Sequence, residues 1–328
     1  MVNRKVQAAR FSVASNSLLV VGKLGVGMAI GSVSVISEAI HSGIDLLAAL
    51  IALVSVRVSS RPADEDHRYG HGKVENLSAL VEGVLIIVAA GWIIYEALRK
   101  LSGGHAVPNV SAGLWVMGAS ATLNWFVSGL LFRVAKSEES AALEADAMHL
   151  RTDVWTSVGV FGGLLAVRFS GLPWLDPAVA LLVAVMIIKA GLELSIQAFK
   201  PLLDSPLSEA EEDEIIALIE QSSDEFVDYH DLRTRQAGSE RHVDFHLVVH
   251  GKRSLEEVHR LCDRIEGAIC HRFPTAQVLI HPEPCEEDCE VCRSARAGTA
   301  RQGGGPRRLK PRGHLVRRQL DTDPLRVQ

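Results

Sequence analysis

The sequence predicts a membrane all-α bundle of six transmembrane helices followed by a small α+β domain. Apolar residues make up 48% of the 328 residues, and the mean hydropathy is positive, which together indicate a chain partly embedded in a bilayer. Up to about residue 199 the apolar residues form blocks of roughly 20, enough to cross about 30 Å of hydrocarbon. We therefore predict a transmembrane domain over 1–204, a soluble domain over 205–284 and a disordered tail over 285–328.

The six apolar blocks are separated by Gly, Pro and charged residues, which mark helix ends. Lys and Arg are concentrated before the first block and in the connections that follow the second and fourth blocks. This bias places those connections and both termini in the cytoplasm. The predicted spans are 11–30, 34–56, 77–98, 111–132, 142–168 and 174–198.

The soluble domain has the element order α-β-β-α-β, which is typical of helices packed on one face of a sheet. In its second strand apolar residues alternate with His242, Asp244, His246 and His250, so one face of the strand is predicted to be core and the other a row of imidazoles. His242, His250 and His271 are expected at the surface. The predicted elements are helix 208–222, strands 226–235 and 239–250, helix 254–272 and strand 276–281.

Two His-x-x-x-Asp patterns lie inside predicted spans, His41 with Asp45 and His149 with Asp153. Helix positions four apart share a face, so two such helices offer four ligands to one point. Two imidazoles and two carboxylates form a tetrahedral set that suits zinc. Ionisable groups within a span are costly and usually functional. The alternative is that these pairs only join helices by hydrogen bonds, but two matching pairs favour a metal site.

Glu38 and Asp146 precede the two histidines by one turn on similar faces. They either line the approach to the site or cap helices at the membrane interface. Further ligands lie outside the spans. In the connection after the second span, Asp64, His67 and His71 have a spacing that either holds a second ion or is plain loop polarity.

Seven of the thirteen histidines fall between residues 230 and 281. Elements that meet in one sheet can bring such residues together, which predicts a second metal site in the soluble domain. Four of these histidines lie on four different elements, and an acidic residue follows the last one. The candidate ligands are His230, His246, His259, His281 and Glu283.

A cysteine run, Cys285, Cys289 and Cys292, follows in an acidic stretch. Three thiols can bind zinc or a softer ion but are one ligand short of a closed site. An iron–sulfur cluster lacks an evident fourth ligand, and reduced thiols without metal are an equal alternative. The tail after the run is basic, with ten Lys or Arg and two Asp over 293–328, which suits either a solvated extension or contact with anionic lipids.

The acidic charge of the remaining chain argues against nucleic acid as a partner. The sequence has no glycine-rich phosphate loop, no serine nucleophile elbow and no His-Glu-x-x-His pattern, so we expect no enzyme. Without a nucleotide site, ion gradients must drive any transport.

From about residue 5 to residue 285 the sequence resembles the cation diffusion facilitator family, in particular its bacterial zinc and ferrous-iron efflux branch. The resemblance rests on four motifs: His41-Ser-Gly-Ile-Asp45, the segment 62–73 (PADEDHRYGHGK), the segment 145–153 (ADAMHLRTD) and the segment 230–238 (HDLRTRQAG). It implies a homodimer in the inner membrane that exports a cytoplasmic divalent cation in exchange for protons by alternating access, with a metallochaperone-like soluble domain.

The resemblance also implies roles for individual residues. The transport ligands would be His41, Asp45, His149 and Asp153, and the loop site would be Asp64, His67 and His71. A regulatory site, binuclear in the best-known relatives, would use His230, His246, His259 and His281, and Lys73 with Asp204 matches a salt-bridge interlock at the dimer hinge.

Two positions depart from the pattern of these relatives. His41 stands where they have Asp, which favours zinc over cadmium or manganese, and Glu283 stands where they also have Asp, which leaves the geometry of the cytoplasmic site open. Zn²⁺ is therefore the expected substrate and regulatory ion. Fe²⁺, Mn²⁺ or Cd²⁺ as the transported ion is the alternative, together with a membrane-anchored metal sensor that does not transport.

Overall fold

Six long helices form the N-terminal part of the protein. The structure, a computed structural model, describes residues 4–30, 33–103, 111–170, 172 and 174–285. Each predicted span coincides with one helix, and every helix is longer than its apolar block because polar turns extend it at the ends. The helices are α1 (Arg4–Ile30), α2 (Val33–Ser59), α3 (Lys73–Gly103), α4 (Ser111–Glu138), α5 (Ala141–Ser170) and α6 (Leu175–Leu202).

In the described part of the chain, four helices are long and apolar enough to cross a membrane, within α1, α2, α3 and α6. The helices α4 and α5, of 28 and 30 residues, pack into the same bundle. Large apolar side chains such as Leu18, Val88 and Phe126 are exposed on its outside, as in a helix bundle whose solvent is lipid. The predicted helical transmembrane region is therefore confirmed.

Small residues let α3 and α6 approach closely. A Cβ atom on Gly83 would lie 2.4 Å from Ser195 Oγ, and one on Gly191 would lie 2.8 Å from Ile87 Cγ1. The pair α3 and α6 thus forms a tight unit of the bundle.

The soluble domain has the predicted α-β-β-α-β order, with a short 3-10 helix (Ser223–Glu225) that the sequence analysis missed. Strand β2 (Glu240–Val249) lies in the middle of the sheet, antiparallel to β1 (Asp228–Ala237) and parallel to β3 (Ala276–Pro284). A capping box begins each helix, with Ser208 and Ser254 as the N-cap residues, which satisfies the first free backbone donors. The elements are α7 (Glu209–Glu220), β1 (Asp228–Ala237), β2 (Glu240–Val249), α8 (Leu255–Arg272) and β3 (Ala276–Pro284).

The alternation predicted for β2 is present. Val243, Phe245, Leu247 and Val249 are buried in one core with the apolar faces of α7 and α8. His242, on the other face, is 5% exposed, so its expected surface position was wrong. The loop before α3 covers it, since the His242 ring meets the Tyr69 ring edge-on at 5.9 Å between centroids.

The turn between β1 and β2 docks against the helix bundle, and we call the bundle end that it touches the inner end. A Cβ atom on Gly72 would lie 2.2 Å from the carbonyl oxygen of Ala237. The backbone N–H of Gly238 donates to Asn76 Oδ1 at 3.1 Å, and Lys5 Nζ donates to Ser239 Oγ at 3.3 Å. Gly238 has φ +62°, a conformation that favours glycine.

Two ion-pair groups surround this turn. The Arg241 guanidinium on β2 donates to both carboxylate oxygens of Glu139, at 2.6 and 2.9 Å, and to Glu211 on α7 at 2.7 Å. Lys73 at the start of α3 donates to Asp204 at 2.8 Å, and Arg235 on β1 donates to the same carboxylate oxygen at 3.2 Å. The two domains therefore meet through directional polar contacts on several elements.

Candidate metal-ion sites

The His/Asp pairs of α2 and α5 converge within the bundle. His41 Nε2 lies 3.9 Å from Asp45 Oδ1 and 3.8 Å from Asp153 Oδ1, and His149 Nε2 lies 3.3 Å from Asp45 Oδ1. Asp45 and His149 are buried, whereas about half of the His41 side chain is exposed. All four predicted ligands thus belong to one cluster.

The cluster has unused coordinating atoms. Asp153 Oδ2 and His149 Nδ1 are buried without a hydrogen-bond partner in the described part of the chain. Buried polar atoms are rarely left unpaired in a folded protein. Two imidazoles and two carboxylates fit a four-coordinate divalent ion such as zinc.

A lysine that the sequence analysis did not assign to the site lies beside it. Lys23 on α1 is 6% exposed, and its ammonium group donates to Ser42 Oγ at 2.8 Å. Ser42 directly follows His41, so a positive charge is buried one residue from a candidate ligand. The sequence feature that could have indicated this role for Lys23 is the presence of a lysine inside an apolar span.

The loop before α3 brings its three predicted residues together. Asp64 Oδ1 lies 3.3 Å from His67 Nδ1, and Asp64 Oδ2 lies 3.3 Å from His71 Nε2. The pKa of Asp64 is lowered, mainly because the backbone N–H of His67 donates to its carboxylate at 2.7 Å and also because His71 is close. An ionised carboxylate between two imidazoles offers three ligands of the types that zinc binds.

The register of the sheet aligns three histidines in the soluble domain. His230 pairs with His246 across β1 and β2, and His246 pairs with His281 across β2 and β3. Their rings are 5.1 and 4.9 Å apart between centroids. One face of the sheet therefore presents a row of imidazoles.

Glu283 completes this row. Its carboxylate lies 3.0 Å from His246 Nδ1, 3.5 Å from His230 Nε2 and 3.7 Å from His281 Nε2. His259 does not join the group within one chain. It lies on the exposed side of α8, where its Nδ1 is 3.6 Å from Asp263.

The remaining predicted residues fall outside these clusters. Cys285 follows the end of β3, but Cys289, Cys292 and the rest of the tail lie outside the described residues, as does the side chain of Glu38. Lys73 and Asp204 form the ion pair already described, which lowers the pKa of Asp204 chiefly through the Lys73 hydrogen bond.

A bundle of apolar helices with a buried His/Asp cluster, joined to a small domain with a second His/carboxylate cluster, defines a membrane protein that handles divalent metal ions. Residues 9–203 match the family model of the cation efflux transmembrane domain, and residues 207–285 match that of the cation efflux protein cytoplasmic domain. The chain belongs to the cation diffusion facilitator family. It is a divalent-metal efflux transporter rather than an enzyme, and a multi-pass protein of the inner membrane.

The chain is also similar to individual proteins. The chain is 37% identical to an uncharacterised transporter of Synechocystis sp., over 81% of this chain and 86% of the relative. It is 33% identical to the cation-efflux pump FieF of Yersinia enterocolitica, over 86% of this chain and 93% of the relative. A solved structure of CzrB in a zinc form is 41% identical and covers 26% of this chain and 96% of its own, with a TM-score of 0.25.

Proposed function

We propose that the protein exports Zn²⁺ from the cytoplasm in exchange for protons by alternating access, with His41, Asp45, His149 and Asp153 as the transport ligands. The observation that carries this proposal is the convergence of the four side chains, in which Asp45 Oδ1 lies within 3.9 Å of both imidazoles. The set contains no thiolate, which would favour softer ions.

Exchange follows from the chemistry of the ligands. Zinc binds neutral imidazoles and ionised carboxylates, so metal and protons compete for the same atoms. Histidine has an unperturbed pKa of about 6.5, so an acidic outer compartment protonates the emptied site and opposes rebinding of the ion. The proton gradient then drives export without a nucleotide.

Reconstituted protein tests this proposal. Proteoliposomes that contain a zinc dye or a pH dye should show zinc movement coupled to proton movement, and Asp45→Ala should abolish both. Glu96→Gln, which changes a partly exposed carboxylate near the other end of α3, is the matched control and should transport normally. Zinc transport by Asp45→Ala at the normal rate would refute the ligand assignment. Faster transport of Fe²⁺, Mn²⁺ or Cd²⁺ by the unmodified protein would refute zinc as the ion.

We further propose that the cytoplasmic cluster is a regulatory zinc site of a homodimer, with both termini in the cytoplasm. The row of His230, His246 and His281 with Glu283 supports it, because three imidazoles and a carboxylate suit zinc. His259, which pairs with Asp263 within one chain, would then contribute through the dimer or to a second ion. Zinc titration calorimetry of the full chain should show one class of sites lost in His246→Ala, with transport-site binding retained.

The loop residues Asp64, His67 and His71 are proposed as a third site, and Lys73 with Asp204 as an interlock at the dimer hinge. His71→Ala should remove zinc binding from the loop. Asp204→Ala should weaken the dimer in detergent, as measured by analytical ultracentrifugation. A dimer of unchanged stability would refute the interlock.

A further inference from the structure

Two carboxylates that are not among the transport ligands are buried inside the bundle. Glu82 on α3 is 0% exposed, and Asp146 on α5 is 1% exposed. In the described part of the chain, none of their four carboxylate oxygens has a hydrogen-bond partner. Unpaired buried carboxylates are rare, and within a membrane they are usually functional.

The two side chains belong to one polar region. They interact electrostatically with each other, and Asp146 also interacts with the Ser12 side chain of α1. Two uncharged groups nearby in the bundle are also buried and unpartnered, Ser78 Oγ one turn before Glu82 and Asn16 Oδ1 one turn after Ser12. The region therefore has more acceptors than donors.

Among the described residues, no basic side chain forms an ion pair with either carboxylate. On α1, Lys5 contacts Glu75 and Lys23 contacts Ser42. The α6 residues Lys189 and Glu193 are exposed and pair with each other. The charged groups that act electrostatically on Asp146 are His149, Asp45 and Asp153. All three belong to the transport cluster. Arg57 on α2, Arg133 and Lys136 on α4 and Glu144 on α5 are exposed at the surface of the bundle.

An ionised carboxylate without a partner is very unfavourable in a low-dielectric interior, so such a group holds a proton instead. A second carboxylate close by makes double ionisation still less favourable. A neutral carboxyl kept only for structure would donate its hydrogen to an acceptor, but neither Glu82 nor Asp146 makes such a bond to another described residue. Within the described residues, the protons on these two carboxyl groups are therefore not fixed by a hydrogen bond to a neighbouring acceptor.

We propose that Glu82 and Asp146 form a proton-binding site, separate from the metal ligands, that gives up a proton when a divalent cation occupies the transport site. Asp146 precedes His149 by one helical turn, about 4.5 Å along α5. A dication at the transport site favours the ionised form of a nearby carboxylate. The proton leaves to water as the carboxylate forms, and it is regained when the cation departs. This inference rests on the proposed antiport and adds carboxylates to it that do not touch the metal.

The test uses Glu82→Gln, Asp146→Asn and the double variant in the full chain, because each amide imitates a carboxyl that never loses its proton. Protons released on zinc binding are counted by calorimetry in buffers of different ionisation enthalpy. The double variant should release about one proton fewer per zinc than the unmodified protein. Because that proton release is linked to zinc binding, its zinc affinity at pH 7 should be about tenfold lower and should depend less steeply on pH. In proteoliposomes its proton-to-zinc ratio should fall by the same amount.

Controls separate the possible failures. Glu82→Asp keeps an ionisable group and should restore release, and Glu96→Gln on the same helix should behave as the unmodified protein. Equal proton release in the unmodified protein and the double variant would overturn this inference alone. Zinc transport without proton movement by the unmodified protein would instead overturn the proposed antiport. A melting curve followed by tryptophan fluorescence confirms that each variant is folded.

Discussion

Glu75 at the inner end of the bundle offers a sharp test of how the two domains are joined. It is 1% exposed, and its carboxylate accepts hydrogen bonds from Lys5 Nζ at 3.3 Å, from Ser59 Oγ at 2.6 Å and from Ser140 Oγ. Lys5 also reaches Ser239 in the docked turn. One carboxylate therefore links α1, α2, α3 and the start of α5, and through Lys5 the soluble domain.

Glu75→Ala removes the acceptor and takes the carboxylate partner away from the buried Lys5 ammonium group. Breaking a buried ion pair in this way costs about 3–5 kcal/mol, and the two serine hydroxyls lose a charged acceptor as well. The ion pair and the two serine hydrogen bonds share one carboxylate, so their contributions are not independent. We therefore expect the free energy of unfolding to fall by about 3–5 kcal/mol rather than by the sum of the separate contributions. At about 2–4 °C per kcal/mol, the melting temperature should fall by at least about 6 °C.

All five tryptophans precede residue 175, so their fluorescence reports on the helix bundle during thermal unfolding in detergent. Lys5→Met and the double variant complete a thermodynamic cycle, which should give a coupling of at least about 1 kcal/mol between residues 5 and 75. Glu96→Gln should melt as the unmodified protein does. A fall of less than about 2 °C in Glu75→Ala would refute the role of this carboxylate.

Three further predictions concern the domain contact. Gly72→Ala would place a Cβ atom 2.2 Å from the Ala237 carbonyl oxygen, so the turn should undock and its amide hydrogens should exchange at least about tenfold faster by mass spectrometry. Arg241→Ala should lower stability by about 1–3 kcal/mol, less than for a fully buried pair because Glu139 is partly exposed, and Glu139→Gln should have a smaller effect in the same melting assay. Burial, with a contribution from a nearby arginine, lowers the pKa of His242. On acidification below about pH 6.5, His242 is protonated in the unfolded chain before it is protonated in the folded chain, so the stability of the protein should fall. The fall should be smaller in His242→Gln when melting at pH 7.5 and at pH 5.5 is compared.

The features that were predicted correctly are those that depend on local periodicity. Apolar blocks of about 20 residues identified the helices, and alternation within β2 identified its core face. The transport candidates could be paired because a spacing of four places His41 and Asp45 on one helix face. Each of these inferences needs only the geometry of a single element.

Features that depend on how elements pair with one another were harder to predict from the sequence. The alignment of His230, His246 and His281 follows from the strand register, which the sequence does not specify when several alignments bury the same apolar residues. The burial of His242 depends on a loop about 170 residues earlier in the chain, which packs over that part of the sheet. Composition contains no signal for such a contact.

Glu75 and Glu82 also show that contacts between elements could not be predicted from the sequence. Both are glutamates on α3, seven residues apart and therefore on nearly the same helix face, and both are almost fully buried. Glu75 accepts hydrogen bonds from side chains of α1, α2 and residue 140, whereas Glu82 has no partner in the described part of the chain. Glu75 holds helices together through its ion pair with a lysine and its hydrogen bonds from two hydroxyls, whereas Glu82 has a second carboxylate as its neighbour. Glu82 is suited to hold a proton, so the chemistry of these two residues is decided by the helices packed around them.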